Sequence, residues 1–591
     1  MANNDAIIYI HLRYYVLSFL MPLSPSHKPQ QSDKPIWYFL LCWTIFNALQ
    51  AYKLEIHADE AYYWMYSRFL DWGYFDHPPM VAIFIRIGDT LMHNELGLRL
   101  MTILSSTASL YLIWQILKKY SVDAMAFILM VSGIFIFHIY GFITTPDPPL
   151  FFFSVLFYYL YQRYIEDDSL LLTFALGVVT ACMLYSKYHA ILLILFTIAS
   201  NIKLLKRMSF WGIVVLATAL YMPHIYWQIN HNYPSINYHL YDRSASKYDL
   251  SNSYLYIPGQ LLMAGPIIGW LIFYSVFRVK IKDSFMRCLQ VNCIGTFIFF
   301  FISTFRGEAQ PHWTLIAYAP LAMLVLIRFQ QAGGPPNWFY RLAYINTGLI
   351  LFLRISIMFN LPPIALIGQV KSFYGFKEWA QRVKEKAGDS YMLMADGFQN
   401  PSKYNYYTNS AKGFSYDSRY YRKTQYDIWP IEEQFQHKRV YYLQDAPNQA
   451  TTDTIKALRG KWYAEWVNDT RTYQRVSIEP DNYKVKLSPG ARQTLVLHIT
   501  NPYPYLINFS NQGATHEVTM EACFFKGDLM VSAEKADSTF NQILLPPNES
   551  SLYTFTLTAP AEKGDYDVLF SISTTPFEGS KNSRVIHLSV E

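Results

Sequence analysis

The sequence predicts a polytopic α-helical membrane protein that continues into a soluble C-terminal part, and three observations predict it. The chain has 591 residues, of which 52% are hydrophobic and only 16% are charged. Up to about residue 360, long apolar runs alternate with short polar loops, and an apolar run of roughly 18–22 residues matches the thickness of a bilayer core. From about residue 370 onward, the composition is that of an ordinary soluble protein.

We predict eleven membrane-spanning helices within a membrane domain that covers residues 35–360. The predicted spans are 36–54, 97–117, 123–143, 148–164, 170–186, 189–202, 210–229, 259–278, 288–305, 313–329 and 340–358. The segment 78–93 is apolar but contains Arg86, Asp89 and His93, so it is expected to be an amphipathic helix in the membrane interface. Residues 1–34 lack a cleavage site of small residues and are expected to be an interfacial or disordered segment rather than a signal peptide.

Basic residues fix the predicted orientation of these helices. Lys and Arg gather in alternate loops, for example at 118–119, 203–207 and 278–287, and such loops face the cytoplasm. The 55–96 loop and the whole chain after residue 359 then lie on the outer face. This bias explains the net charge of +6 without a nucleic-acid partner.

Acids, histidines and cations gather in the loops assigned to the outer face. Each of them alone could be a solvated helix end, and aromatic residues there could form an interfacial belt, but the convergence of six loops predicts a wet cavity. The five cysteines show no disulfide framework and no metal-ligand spacing. The candidate site residues are Asp59, Glu60, Tyr62, Tyr63, Asp76, His77, Asp147, Lys187, His239, Arg243, Arg306 and His312.

The soluble part is expected to form two units. Residues 370–475 mix an amphipathic helix pattern with short strands, which indicates a small α/β domain. Residues 480–591 alternate apolar and polar residues between turn signals, which predicts a β-sandwich. The second unit contains no catalytic constellation, so binding or positioning is the more plausible role for it.

Five short motifs in the membrane part resemble those of the GT-C glycosyltransferases. The resemblance is to the dolichyl-phosphate-mannose protein mannosyltransferase-like group (glycosyltransferase family 39), to which the bacterial aminoarabinose transferase is related. It covers roughly residues 36–360, and the order and loop position of the motifs make it fairly specific. The matching segments are 59–64 (DEAYYW), 73–79 (GYFDHPP), 95–100 (ELGLRL), 145–150 (TPDPPL) and 186–188 (SKY).

This resemblance implies an inverting transfer of a sugar from a polyprenyl-phosphate carrier to an acceptor hydroxyl on a protein, a lipid or a glycan. Inversion needs a base that removes the proton of the attacking hydroxyl. The family's base falls on Asp59, with Glu60 beside it. The other cavity residues would be Tyr62, Tyr63, Asp147 and His312, although Asp147 could instead cap a helix.

The resemblance also assigns the phosphate side of the site. The leaving phosphate gains charge and needs cations or a metal ion. The implied phosphate-binding residues are His77, Lys187, Arg243 and Arg306, and the implied metal ligands are Asp76 and His239. Because His77 stands where the aminoarabinose enzyme has Lys, dependence on a divalent metal stays open, and Lys187 could instead be a snorkelling cation.

Two other classes of protein remain as alternatives. A glycolipid transporter or flippase would show inverted repeats and polar groups at mid-membrane. A membrane-anchored glycan-binding protein would act through its β domain. The resemblance and the compact loops favour a multi-pass protein of a bacterial cytoplasmic membrane, with its active site on the periplasmic face and membrane lipids around it.

Overall fold

The computed structural model describes residues 33–242 and 248–591. The expectation for residues 1–34 therefore falls outside the described residues except at 33 and 34, and the role given to Arg243 falls outside them entirely. The helices of the first part of the chain are Lys34–Lys53, Ala58–Arg68, Met80–Leu91, Glu95–Lys118, Ala124–Gly133, Phe135–Tyr140, Asp147–Tyr164, Leu170–Ser186, Ala190–Ser200, Met208–Asn230, Leu250–Ala264, Gly269–Val276, Ser284–Ser303, Leu315–Gln331 and Asn337–Met358.

Several of these helices are apolar and long enough to cross a membrane. Five of the described helices meet this condition, or six if the bent pair Leu250–Ala264 and Gly269–Val276 forms one span. Each predicted span overlaps at least one observed helix. A helical membrane region is thus confirmed, while the number of eleven spans stays a prediction.

Polar side chains determine where several helices begin. Asn94, Asp123, Ser169 and Asp283 each accept a hydrogen bond from a backbone N–H in the first turn of the helix that follows. These N–H groups have no partner inside their own helix, and leaving them unpaired next to an apolar medium is costly. The capping residues therefore fix the register of the apolar runs that they precede.

Two of the predicted spans are not continuous helices. The expected span 123–143 breaks at Ile134, and the expected span 259–278 bends by 97° after Ala264. The second break follows from Gly265, whose φ of +145° favours glycine, and from the proline at position 266. The side chain of Asn346 provides hydrogen-bond partners for backbone groups at both breaks. Its amide donates to the Gly133 carbonyl and accepts from the N–H of Ile267.

The helical part has one buried central helix. Within the segment Pro311–Gln331, 83% of the most apolar window is buried, compared with 17% for the equally apolar helix Met208–Asn230. Since the two helices have the same hydropathy, composition alone does not distinguish a helix in the bundle core from one at its rim. Helix Met208–Asn230 therefore presents its apolar residues outward, where a bilayer would surround them.

The 55–96 loop folds into two short helices, Ala58–Arg68 and Met80–Leu91. The second confirms the helix predicted for 78–93. Its inner face buries Val81 and Ile85, while its outer face exposes Arg86 beside Ile83 and Ile87. The outer face thus mixes a cation with apolar side chains, so the helix is not strictly amphipathic.

A mixed sheet follows the membrane part. Strand β1 (Met392–Ala395) pairs in parallel with β2 (Gly413–Tyr416) and with β3 (Val440–Gln444). Strand β5 (Gly460–Val467) pairs antiparallel with β3 and with β4 (Asp453–Ala457), which gives the order β2-β1-β3-β5-β4. Helices Phe376–Ala387 and Gln399–Tyr407 belong to the same unit.

The last part of the described chain is built from sheets. One sheet has the order β11-β10-β14-β15-β7, a second has the order β13-β8-β6, and β12 pairs with β9. Apolar residues of both larger sheets, such as Leu497 and Phe570, share one hydrophobic core. The strands are β6 Ser477–Pro480, β7 Lys484–Leu487, β8 Arg492–Thr500, β9 Ile507–Asn508, β10 Val518–Lys526, β11 Leu529–Lys535, β12 Leu544–Leu545, β13 Ser550–Thr558, β14 Gly564–Thr574 and β15 Ile586–Val590.

The 55–96 loop and the mixed sheet share a core. Trp64 and Tyr66 of the loop belong to the same buried cluster as Phe414, Tyr426 and Trp429. Aromatic side chains of this size bury large apolar areas, so they dominate the energetics of such a contact. The soluble part is therefore packed directly on the loop that carries the main candidate residues.

Glu55 strengthens this contact through backbone hydrogen bonds. Its carboxylate accepts from the N–H groups of Gly375 and Phe376, at 3.0 and 2.7 Å. These groups lie at the start of helix Phe376–Ala387, where negative charge is stabilising. A residue of the membrane part thus caps a helix of the soluble part.

Candidate active site

Asp59 lies in the first turn of helix Ala58–Arg68, two residues after its N-cap residue His57. The Nδ1 atom of His57 accepts a hydrogen bond from the Asp59 backbone N–H and lies 3.6 Å from Asp59 Oδ2. Desolvation alone would raise the pKa of Asp59, but His57, helped by His312 and Arg422, holds that pKa below its usual value. The side chain is 45% exposed, so Asp59 presents an ionised carboxylate to the space above the helix.

Glu60 lies beside Asp59 but in a closed environment. Arg99 donates to both of its oxygens, at 2.8 and 2.6 Å, and both side chains are fully buried. The carboxylate also accepts from the backbone N–H groups of His57 and Thr144. Four donors therefore occupy this carboxylate, and the geometry favours a positioning role over the direct catalytic role predicted for Glu60 beside Asp59.

Asp76 lies on the other half of the 55–96 loop. It is buried, and the hydroxyl of Tyr66 donates to its carboxylate. Burial raises the pKa of Asp76, although Arg422, Tyr66 and His239 act in the opposite direction. The rings of His77 and His239 are 6.1 Å apart, so both lie close to this acid.

The predicted metal ligands Asp76 and His239 both have other partners in this arrangement. Within residues 33–242 and 248–591, no group of three or more His, Cys, Asp or Glu side chains is placed to hold one. One oxygen of Asp76 is engaged by Tyr66. His239 Nε2 lies 2.9 Å from the backbone oxygen of Asp76, so this nitrogen carries the proton and has no lone pair for a metal.

Asp147 and Lys187 form a buried ion pair. Lys187 Nζ lies 2.8 Å from Asp147 Oδ1, and their side chains are only 6% and 5% exposed. His312 Nε2 approaches the other oxygen of Asp147, at 3.9 Å. Lys187 therefore does not snorkel to water, which excludes that interpretation of the sequence.

Tyr63 marks the point where the acidic residues come together. Burial raises the pKa of the Tyr63 hydroxyl, and the charges of Asp59, Asp76 and Asp147 raise it further. These acids belong to three separate motifs of the sequence. The structure thus brings the predicted residues Asp59, Asp76 and Asp147 into one electrostatic neighbourhood.

Two residues of the soluble part complete this neighbourhood, although none of the five sequence motifs includes them. The guanidinium of Arg422 lies 4.8 Å from the ring centre of Tyr238 and close enough to Asp59 and Asp76 to lower the pKa of both acids. Gln425 donates its N–H to the Tyr62 hydroxyl and accepts from the Phe75 N–H, at 2.7 and 2.6 Å. Nothing in the local sequence distinguishes these residues from other polar residues of a soluble domain.

Two other predicted residues have different surroundings. The ring of Tyr62 is fully buried and stacks on Phe398 with a centroid distance of 4.1 Å. It is part of the core that joins the loop to the soluble part. Arg306 is exposed after the end of helix Ser284–Ser303.

One segment of the chain is similar to a known sequence family. Residues 76–227 match the family described as dolichyl-phosphate-mannose-protein mannosyltransferase. No curated protein sequence matches the chain. The matched residues include Asp76, Asp147 and Lys187, whereas Asp59 precedes them.

Solved structures with a similar fold include the ArnT protein of Cupriavidus metallidurans. Its apo structure and its structure bound to undecaprenyl phosphate both align with a TM-score of 0.54, with 14% and 13% sequence identity, over 73% of this chain and 98% of that chain. The arabinosyltransferase EmbB from Mycobacterium smegmatis covers 98% of this chain and 66% of its own at 9% identity, but its TM-score of 0.36 is too low to support an argument.

These comparisons agree with the resemblance carried by the motifs. The match to the sequence family spans four of the five motifs in part or in full, and the fold match extends beyond the membrane part. The chain thus resembles the dolichyl-phosphate-mannose-protein mannosyltransferase family over residues 76–227 and shares the fold of ArnT over 73% of its length.

Proposed function

We propose that this protein is an inverting membrane glycosyltransferase that transfers a sugar from a polyprenyl-phosphate-linked donor to an acceptor hydroxyl. The observation that carries the proposal is the pairing of a half-exposed, ionised Asp59 with a buried group of acids and cations around Tyr63. An open carboxylate is suited to accept a proton, and the fixed charges beside it are suited to stabilise a charged leaving group. Two comparisons support the choice of donor. Part of the chain matches the mannosyltransferase family, and its fold is similar to that of ArnT, which has been solved bound to undecaprenyl phosphate.

Asp59 is the proposed base. In a glycosyl transfer the acceptor oxygen forms a bond to the anomeric carbon while the bond from that carbon to the phosphate oxygen breaks. The acceptor proton then passes to Asp59, and the phosphate leaves with its electron pair. The lowered pKa of Asp59 keeps this carboxylate ionised and ready to receive the proton.

Glu60 supports this base indirectly. Its carboxylate accepts the backbone N–H of His57 as part of a capping box, and Arg99 fixes it from the other side. Because the capping box holds the first turn of helix Ala58–Arg68, it also holds the direction of the Asp59 side chain. We therefore assign Glu60 to positioning.

The leaving phosphate is assigned to cations. Lys187 is the best supported of the predicted phosphate ligands, because it is buried beside Asp147 and His312. His77, Arg243 and Arg306 remain proposed phosphate ligands. Asp76 is engaged with Tyr66 and His239 with a backbone oxygen, so the proposal routes no step through a metal ion on these residues.

The topology of the proposal follows from the distribution of basic residues. Eleven spans would place the 55–96 loop and the soluble part on the outer face of a bacterial cytoplasmic membrane. We propose an α/β domain over 370–475 and a β-sandwich over 480–591, both periplasmic. A soluble part packed on the active-site loop is suited to a bulky acceptor, such as a protein, a lipid-linked glycan or a polysaccharide.

Mass analysis of glycolipids, glycoproteins and envelope glycans from cells with and without the gene tests this function. A transferase predicts that a defined sugar addition disappears in the deletion strain and returns with the wild-type gene but not with Asp59→Asn. If the protein is a flippase, the deletion strain should accumulate an unchanged glycolipid on the wrong face of the membrane. The Asp59→Asn gene should then restore the normal distribution of that lipid. If no glycan or glycolipid changes, the transferase assignment fails.

A further inference from the structure

Arg422 is a cation of the soluble part that reaches the candidate active site. Its guanidinium carbon lies 4.8 Å from the ring centre of Tyr238 and 5.7 Å from that of Phe398. Tyr238 itself lies beside His239, which contacts the backbone of Asp76. The guanidinium is therefore held between the membrane part and the soluble part, on the side of Asp76.

The segment that presents Arg422 is anchored on both sides. On one side, the backbone N–H of Arg419 donates to the Gly579 carbonyl. On the other side, the hydroxyl of Thr424 donates to Asp417 at 2.7 Å, and Gln425 bonds to the hydroxyl of Tyr62. A side chain on such a segment has a defined position, which is a requirement for a binding residue.

The hydrogen-bonding capacity of Arg422 is largely unused. Among the described residues, no carboxylate lies within ion-pairing distance of its guanidinium, and its single side-chain hydrogen bond is a long one of 3.4 Å to the Lys423 carbonyl. The aromatic faces stabilise the positive charge but accept none of its N–H groups in the plane of the guanidinium.

Planar guanidinium groups bind phosphate in a bidentate manner, with two parallel N–H donors. We propose that Arg422 binds the phosphate of the lipid donor, so that the soluble α/β unit supplies one wall of the active site. This inference rests on the proposed function, because it assumes a phosphate-linked donor. It assigns the C-terminal part a direct role in substrate binding instead of a purely structural one.

Binding of undecaprenyl phosphate to the purified full-length chain tests this inference. We compare the wild type with Arg422→Gln and Arg422→Lys, and with Arg439→Gln as a matched control. Arg439 is also an arginine of the α/β unit stacked on an aromatic ring, 4.1 Å from the centre of Trp466, but it is exposed and remote from the site residues. Undecaprenol and inorganic phosphate serve as ligands that carry only the lipid or only the anion.

The expected result is a loss of affinity for undecaprenyl phosphate of about ten- to a hundredfold in Arg422→Gln, which is the range for a hydrogen bond to a charged group. Arg422→Lys should lose less, since it keeps the charge without the planar donors, and Arg439→Gln should bind like the wild type. Weak binding of undecaprenol by every variant, with no dependence on residue 422, would show that the loss concerns the phosphate.

Unchanged affinity of both Arg422 variants, with normal binding by the wild type, overturns this inference and leaves the proposed function intact. If Arg422→Gln does not fold, as judged by thermal unfolding, the Lys variant decides the question by the same comparison. A wild-type chain that binds no polyprenyl phosphate contradicts the proposed function itself. Equal competition by inorganic phosphate would assign the site to a free anion and also overturn the inference for the lipid.

Discussion

The Arg99 guanidinium donates to both carboxylate oxygens of Glu60, at 2.8 and 2.6 Å, and neither side chain is exposed. The same guanidinium donates to the backbone oxygens of Ala51 and Leu54 at the end of the first helix. Glu60 and Arg99 therefore join the first predicted span, the 55–96 loop and the helix Glu95–Lys118. The candidate base, Asp59, is attached to this fixed point.

Glu60→Gln should destabilise the protein by about 3–5 kcal/mol, because it leaves the buried charge of Arg99 without its counter-charge. The measurement is the thermal unfolding of the purified protein in detergent. Asp389→Asn is the control, since Asp389 pairs with Lys384 on the surface and its loss should leave the unfolding temperature close to that of the wild type. Equal and small effects of both changes would contradict the role given to the buried pair.

The double variant Glu60→Gln with Arg99→Met separates stability from chemistry. It removes both buried charges, and the glutamine keeps an acceptor for the backbone N–H groups of His57 and Thr144, so this variant should unfold closer to the wild-type temperature than Glu60→Gln does. If Glu60 positions Asp59, the double variant keeps measurable transfer activity. Complete loss of activity in a stable double variant would instead favour a direct catalytic role for Glu60.

The pair of Asp147 and Lys187 allows a similar separation. Lys187→Met leaves the Asp147 carboxylate buried and unpaired, so the single variant should be strongly destabilised. Adding Asp147→Leu should recover most of that stability without recovering transfer, because the proposed phosphate cation is still missing. Recovery of full activity in the double variant would exclude Lys187 as a phosphate ligand.

The pH dependence of transfer reports on Asp59. Because His57 holds the pKa of Asp59 below its usual value, the base stays ionised on the acid side, and kcat/KM should fall only when the pH drops below about 4. His57→Asn keeps a residue that can cap the helix but removes the imidazole. In that variant burial dominates, the pKa of Asp59 rises, and the acid limb of kcat/KM should move to higher pH. An unmoved acid limb would mean that Asp59 is not the titrating base.

A second acid, Asp417, links pH to the stability of the segment that carries Arg422. Burial and the neighbouring Asp427 raise the pKa of Asp417 well above its usual value. The folded-state pKa therefore exceeds the unfolded one, and the stabilisation from protonated Asp417 is fully present below about pH 4 and is lost as the pH rises through the folded-state pKa.

Asp417→Asn mimics the protonated acid at every pH. Scanning calorimetry of the full-length chain should show that the wild type loses stability relative to this variant as the pH rises from about 4. Asp528→Asn, a change at an exposed turn of the β part, should leave the pH dependence of unfolding unaltered. A constant difference between wild type and Asp417→Asn across this range would show that Asp417 is ionised in the fold.

Much of the helical part could be predicted from the apolar runs, because a continuous run of that length is stable only as a helix in a bilayer. The break at Ile134 could not, since the Gly133 carbonyl next to it depends on the distant side chain of Asn346 for a donor. The apolar pattern reports where a chain can cross a membrane. It does not report which long-range hydrogen bonds permit a helix to stop inside it.

In the candidate site, too, some features could be predicted from the sequence and others could not. The meeting of Asp59, Asp76 and Asp147 follows from topology, because their loops lie on one face of the bundle. Arg422 and Gln425 lie more than 300 residues after Asp59 in the chain, and only the packing of Phe398 and Trp429 on Tyr62 and Tyr66 brings them there. The partners of Glu60 and Asp76 could not be predicted either. The sequence does not distinguish a carboxylate paired with Arg99 from one that is exposed to solvent.

The most direct measurement is sugar transfer from a labelled polyprenyl-phosphate donor by the purified protein, with wild type compared with Asp59→Asn at equal amounts of folded protein. Removal of a general base typically costs about 10²–10⁴-fold in rate, so Asp59→Asn should reduce kcat by that factor while undecaprenyl phosphate still binds. Asp528→Asn should transfer at the wild-type rate. Wild-type transfer by Asp59→Asn would contradict the assignment of Asp59 as the base.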